Sequence, residues 1–188
     1  PNVEEMKTPE DQRKNPLGPK VRITVYKDAD HAHDMLTRQS VTGVLLFINN
    51  TLVWWISKWQ KTVETSTYSS ELIAAKTATE LVMEYCFLLR AMGVEPDGPV
   101  LMLGDNNSVV LNCTMPSSVL KKKHNAVAYH WVREAIAAGI VNFAHIPSEM
   151  NYADILTKPL DSTTFHRLVK KLLFRVPNGE QRFKLHET

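Results

Sequence analysis

Val21, Ile23 and Val25 alternate with Arg22, Thr24 and Tyr26, the two-residue period of a half-buried strand. Asp28 continues the Tyr26 face at the expected end of that strand. After a polar loop come two apolar stretches, Val41 to Ile48 and Leu52 to Ile56, separated by Asn49-Asn50-Thr51. Asparagine accepts positive φ more readily than most residues, so this spacer predicts a hairpin turn. The period then lengthens. Leu72, Ala75, Thr79, Val82, Cys86 and Leu89 form one stripe of a long helix over Ser66 to Met92, with Gly93 placed to close it. Val100 to Leu103 predicts a short strand between Pro99 and Gly104, and Asn106 or Asn107 is placed to cap a short helix through Val109 and Val110. A further helix is expected over Asn125 to Ala138, a fifth strand over Ile140 to Ile146, and a short helix over Met150 to Leu156. Beyond Pro159, Phe165, Leu168, Val169 and Leu172 recur at helical spacing, and the last residues read as frayed.

Three strands, helix, strand, helices, strand, helix is an α/β order. The first three strands suit an antiparallel meander, and the two later ones, each reached through a helix, suit parallel addition to the first. The expected architecture is a five-stranded mixed sheet flanked by helices. Residues 1–20, polar and carrying Pro1, Pro9, Pro16 and Pro19, read as a linker from something upstream. Residues 21–160 read as the domain, and 161–188 as a C-terminal helix and tail.

Composition narrows the classes. The chain has 188 residues, 44% hydrophobic and 22% charged, enough for one core that buries roughly 70% of the unfolded surface. No apolar run is longer than the five residues of Val44 to Ile48, so no membrane helix is expected. The opening Pro-Asn-Val-Glu-Glu has neither a basic nor an apolar signal region, and secretion is not expected. A net charge of +2 does not point to a polyanion. Cys86 and Cys113 make no CxxC pair and read as buried, reduced thiols.

Four acids lie where chain geometry could gather them, although order and spacing alone do not establish that they meet. Asp28 ends the first strand, Glu71 sits one turn into the long helix beside its buried stripe, Asp105 follows the fourth strand, and Asp154 lies among Ala153, Ile155 and Leu156. An acid among apolar neighbours is costly unless a positive charge compensates it. Several together call for a hard cation with oxygen ligands, Mg2+ or Mn2+. Taken singly, Asp105 also reads as a cap, Glu71 as a partner of the helix dipole, and Asp154 as a solvated residue.

Eight segments in register give these acids a context. They are Tyr26 to Ala32, Arg38 to Gly43, Ser57 to Val63, Ser69 to Leu72, Gly104 to Ser108, Lys123 to Asn125, Tyr129 to Glu134 and Asn151 to Leu160. Together they resemble the ribonuclease H domain of copia-type retrotransposon polyproteins, over about residues 21–160. The resemblance implies an RNase H fold and a four-carboxylate site for two Mg2+ ions, with Mn2+ as substitute. Asp28, Glu71, Asp105 and Asp154 stand at the positions of the family's catalytic and metal-binding acids, with Asp28 bridging both ions. The implied activity is hydrolysis of the RNA strand of RNA–DNA hybrids during reverse transcription, leaving 5′-phosphate and 3′-hydroxyl ends. The implied partners are the hybrid and the reverse transcriptase domain of the same polyprotein, and the implied location is a cytoplasmic virus-like particle. A noncatalytic module supporting that polymerase, or a DNA nuclease of the same superfold, are the alternatives. The chain departs from the family where His31 and His33 replace the usual Trp and Gly. It also lacks the loop histidine of cellular RNases H, since Pro147 to Ala153 contains none and His145 reads as the end of the fifth strand.

Other residues carry weaker signals. Lys121, Lys122, Lys123 and His124 form the one dense basic run, either a solvated helix start or, with Asn106, contacts to substrate phosphates. Asp30 reads as a loop-structuring neighbour of Asp28 rather than a ligand. Trp54 and Trp55 are adjacent on a strand, so at least one is expected in the core; Trp59 is a third candidate for stacking on nucleic acid. His130 reads as packed or surface, and Met83, Met92 and Met102 as core filler.

Overall fold

The computed structural model describes residues 18–120 and 123–173. Strand β1, Ile23–Asp30, pairs antiparallel with β2, Val41–Ile48, from Ile23 opposite Ile48 to Asp30 opposite Val41. The hairpin turn is made by Asn49 and Asn50, at φ +49° and +69°, the left-handed pair that matches strand twist. Asn49 is pinned back onto β1, because its side-chain oxygen accepts from the Arg22 N–H at 2.8 Å. Strand β3, Thr51–Trp59, then forms one edge of the sheet.

Helix α1, Thr67–Ala91, begins at Ser66, whose side chain accepts from the Ser69 N–H, and ends before Gly93 at φ +75°. All six residues of its expected stripe are buried. Leu72, Ala75, Val82, Cys86 and Leu89 pack with Val25, Val44, Leu46 and Met102 in the main core. Strand β4, Val100–Gly104, runs parallel to β1, and β5, Val141–His145, runs parallel to β4, giving the order β3-β2-β1-β4-β5. Between them lie α2, Asn107–Thr114, and α3, Ala126–Ala137, with α4, Ser162–Leu172, closing the described chain. The sheet is the five-stranded mixed one expected, and Cys86 and Cys113 are free and buried. Among the described residues, no helix is long and apolar enough to cross a membrane.

Several local expectations are corrected. β1 does not end at Asp28: β2 keeps pairing with it as far as Asp30, so Asp28 and Asp30 share one face. Trp54, Trp55 and Trp59 are 47%, 63% and 50% exposed, so neither of the adjacent pair is core. Both lie on the edge strand, whose cover is partial: Val53 and Ile56 pack against the core, and Trp54 meets α1 at Tyr85, with ring centres 6.3 Å apart. Met92 is 48% exposed at the end of α1, while Met83 and Met102 are core. The segment expected as one short helix is two 3-10 turns, Ser148–Met150 and Tyr152–Leu156. Lys121, Lys122 and the frayed tail expected after residue 173 lie outside the described residues.

Candidate metal centre

Parallel pairing places the first two acids. Tyr26 of β1 is opposite Leu103 of β4, and two positions on, along the same strand direction, stand Asp28 and Asp105. The start of α1 brings Glu71 to the same place. Carboxylate oxygens of Asp28, Glu71 and Asp105 all lie within 4.8 Å of one another. Asp28 and Glu71 are buried, and Asp105 is half-buried.

Asp154 arrives by a different route. The Asn151 side chain donates to the Lys27 carbonyl at 3.1 Å and accepts from the Ala153 N–H at 3.2 Å, tying the loop to β1. The loop then presses against β2 at Gly43, the residue opposite Asp28. A Cβ there would stand 2.7 Å from Thr157 Cγ2 and 2.9 Å from the Ala153 carbonyl, so only glycine admits this approach. Asp154 lies outside the three-acid group and is joined to it by Lys158, whose Nζ donates to Asp154 Oδ1 at 3.0 Å and to Asp28 Oδ1 at 3.2 Å. The Thr157 hydroxyl donates to the other oxygen of Asp28.

A second lysine enters from the opposite face of the sheet. Lys27 continues the core-facing alternation of Ile23 and Val25, and it is fully buried. Its Nζ donates to Glu71 Oε2 at 2.5 Å and lies 5.6 Å from the centre of the Phe143 ring. The stem passes over Gly104, where a Cβ would lie 2.3 Å from Lys27 Cε.

Crowding and burial show in the protonation of the acids. Burial pushes the Glu71 carboxyl up to about 7; Lys27 opposes this, and Asp28 and Asp105 reinforce it. Burial pushes Asp154 up to about 6, with Asp28 reinforcing and Lys158 opposing. Burial works to lower the Lys158 ammonium, yet the charges of Asp28 and Asp154 outweigh it and hold Lys158 above its ordinary value. Hard oxygen donors converging in a site that resists accumulating negative charge are the chemistry that Mg2+ and Mn2+ take, so these residues fit such an ion.

No protein-family model matches the chain. It is 30% identical over 162 residues to the retrovirus-related Pol polyprotein from transposon RE2 of Arabidopsis thaliana, covering 85% of this chain and 11% of that protein. It is 33% identical over 149 residues to the Pol polyprotein from transposon TNT 1-94 of Nicotiana tabacum, covering 79% of this chain and 11% of the relative. The chain thus spans about a tenth of the length of these curated relatives. Solved structures that share its fold include the following two. The N-terminal RNase H domain of rv2228c from Mycobacterium tuberculosis matches with a TM-score of 0.57 and 12% identity, over 80% of this chain and 98% of that one. LC11-RNase H1 in complex with an RNA/DNA hybrid matches with a TM-score of 0.57 and 18% identity, over 72% of this chain and 94% of that one. The chain belongs with the RNase H domains of copia-type Pol polyproteins.

Within this RNase H domain the remaining candidates are distributed as follows. Lys123 and His124 are exposed, and His124 Nε2 stands 3.9 Å from Glu64 Oε2. The Asn106 side-chain oxygen accepts from the Val109 N–H at 3.2 Å and caps α2. Asp30 Oδ2 lies 2.5 Å from His33 Nδ1, a tie back from the loop. His145 ends β5, with Nε2 at 3.1 Å from the Asp105 carbonyl oxygen, and His130 is exposed. Sequence reasoning overlooked Lys27, Asn151, Thr157 and Lys158. Two of them left a signal: Lys27 is the charged residue in the apolar phase of β1, and Lys158 stands one helical turn beyond Asp154.

Proposed function

We propose that this RNase H domain is a metal-dependent endoribonuclease that hydrolyses the RNA strand of RNA–DNA hybrids during retrotransposon reverse transcription. The observation that carries the reading is the convergence of Asp28, Glu71 and Asp105 within 4.8 Å at adjacent parallel strand ends and a helix start. A scaffold has no use for so costly an arrangement of buried charge. Divalent ions, Mg2+ with Mn2+ as substitute, would be held by Asp28, Glu71, Asp105 and Asp154, and would supply activation of water and stabilisation of the leaving 3′ oxygen, with 5′-phosphate and 3′-hydroxyl ends as products.

The chain's own residues do the positioning. Lys27 fixes the Glu71 carboxylate from below the sheet, and Thr157 fixes one oxygen of Asp28 from above. Asn151 and Gly43 set the loop that carries Asp154. Strand choice rests on 2′-hydroxyl contacts, which the RNA strand alone offers. Lys121, Lys122, Lys123 and His124, with Asn106, contribute phosphate contacts. The domain works beside the reverse transcriptase domain of the same polyprotein, in a cytoplasmic virus-like particle. Incubation with an end-labelled hybrid, a DNA duplex and single-stranded RNA, each with and without EDTA, tests the reading. EDTA-sensitive cutting of the hybrid's RNA strand alone is expected. Comparable cutting of the DNA duplex would reassign the domain to DNA cleavage, and no cutting with metal bound would make it a noncatalytic support.

A further inference from the structure

Charge in the centre is only half compensated before any metal arrives. The carboxylates of Asp28, Glu71, Asp105 and Asp154 carry four negative charges when ionised, and Lys27 and Lys158 return two. The two lysines differ in where they stand. Lys27 is fully buried on the core side and is committed to Glu71. Lys158 has a side chain 33% exposed, and it bridges Oδ1 of Asp28 and Oδ1 of Asp154, the two acids that a second cation would have to share. Its ammonium occupies the Asp28–Asp154 half, while the Asp28–Glu71–Asp105 half keeps its three carboxylates turned together.

We propose that Lys158 is a built-in counter-cation that limits the free domain to one divalent ion, held at Asp28, Glu71 and Asp105. This rests on the metal-dependent reading above and goes beyond it by assigning different occupancy to the two halves. The residual charge of minus two matches one divalent ion. A second ion in the free domain would leave a buried excess of positive charge and would have to displace the ammonium from both oxygens. Such an excess is costly where water is scarce. Lys158 is therefore a positioning residue that acts on ion occupancy, not a group that touches the reacting atoms.

The test counts ions rather than turnover. Mn2+ is titrated into the domain without nucleic acid, and bound ion per chain is read by calorimetry and by the loss of the free-ion paramagnetic signal. One ion per chain is expected for wild type and for Lys158→Arg, which keeps the charge, and two for Lys158→Met. In EDTA, Lys158→Met should melt below wild type because Asp28 and Asp154 are left facing each other, and Mn2+ should raise its melting temperature more than that of wild type. Lys158→Gln, which retains hydrogen bonding, serves if the Met variant does not fold, and the same count of two is expected. Two ions in wild type, or one in wild type and in the charge-removing variants alike, would overturn the role of Lys158 while leaving the metal site standing. No bound ion in wild type or any variant would overturn the metal reading itself.

Discussion

The ammonium of Lys27 lies 2.5 Å from Glu71 Oε2, across 44 positions of sequence and fully inside the protein. It joins the central strand to the first turns of α1 at the point where the acids meet. Removing one partner of a buried pair leaves an uncompensated charge, which costs about 3–5 kcal/mol. Lys27→Met should therefore lose stability on that scale in urea denaturation. The double variant Lys27→Met/Glu71→Gln should recover much of the loss, because no charge is then stranded. A double variant as unstable as the single one would assign the effect to the shape of the lysine stem instead.

Gly43 lets the Asp154 loop lie against β2, and the contacts it meets there include a backbone carbonyl that has little room to yield. Gly43→Ala should cost about 1–3 kcal/mol as an overpacked site and should push the loop outward. Gly104→Ala meets the flexible end of Lys27 and so disturbs the Glu71 side of the centre. Hydrogen exchange of the amides from 151 to 158 distinguishes them: it should speed up in Gly43→Ala and stay near wild type in Gly104→Ala.

In EDTA, stability should fall as pH rises. Glu71 titrates at about 7 against an ordinary 4.5, and Asp154 at about 6 against 3.8, so both bind their proton more tightly in the folded chain. Their contribution is fully present below about pH 4 and is lost as pH passes through 6 and 7. The groups facing them are Lys27, Asp28, Asp105 and Lys158. Urea midpoints at pH 5 and pH 7.5 measure the slope, and the expected order is the higher midpoint at pH 5. With Mn2+ present the drop should shrink or reverse, since the ion takes the ionised acids.

The four acids should not respond alike. Asp105→Asn should be at least as stable as wild type in EDTA, because it relieves repulsion around Asp28 and Glu71. Asp28→Asn should abolish hybrid cleavage, since Asp28 is grouped with Glu71 and Asp105 and also accepts from Thr157 and Lys158. Asp154→Asn should retain a residue of activity that Mn2+ partly restores, because its loop is held by two 3-10 turns rather than a strand. Cleavage time courses across both metals check this. Wild-type rates for Asp154→Asn in low Mg2+ would remove it from the ligands.

Phosphate contacts fall off with salt at a slope of roughly −0.7 to −0.9 per contact. Replacing Lys121, Lys122 and Lys123 with Ala should flatten the salt dependence of hybrid binding and raise KM. It should leave kcat nearly unchanged, since such contacts hold ground and transition states alike. An unaltered slope would return these lysines to a solvated helix start.

Local sequence was enough for the elements. The alternation at Val21 to Tyr26, the Asn49-Asn50 turn, the stripe from Leu72 to Leu89 and the Asn106 cap are each set by neighbours a few residues away, and the structure has them where the pattern put them. The positions of the acids were legible too: Asp28 lies near the end of β1, Glu71 early in α1, Asp105 just after β4 and Asp154 in the loop capped by Asn151. Burial and encounter were not. Trp54 and Trp55 alternate as strand residues must, but only the sheet order reveals that β3 lies at the sheet's edge among the described residues. Lys27 lies in the apolar phase of β1, but its acceptor, Glu71, comes from a separate helix, and its path is open because Gly104 lies on a neighbouring strand. Lys158 is one turn from Asp154 in sequence, yet its second acceptor, Asp28, lies 130 positions earlier. Propensity and periodicity are short-ranged, whereas the charge balance of a buried site depends on which strands pair and in what register. For this protein, that register decided which acids meet and which lysines answer them.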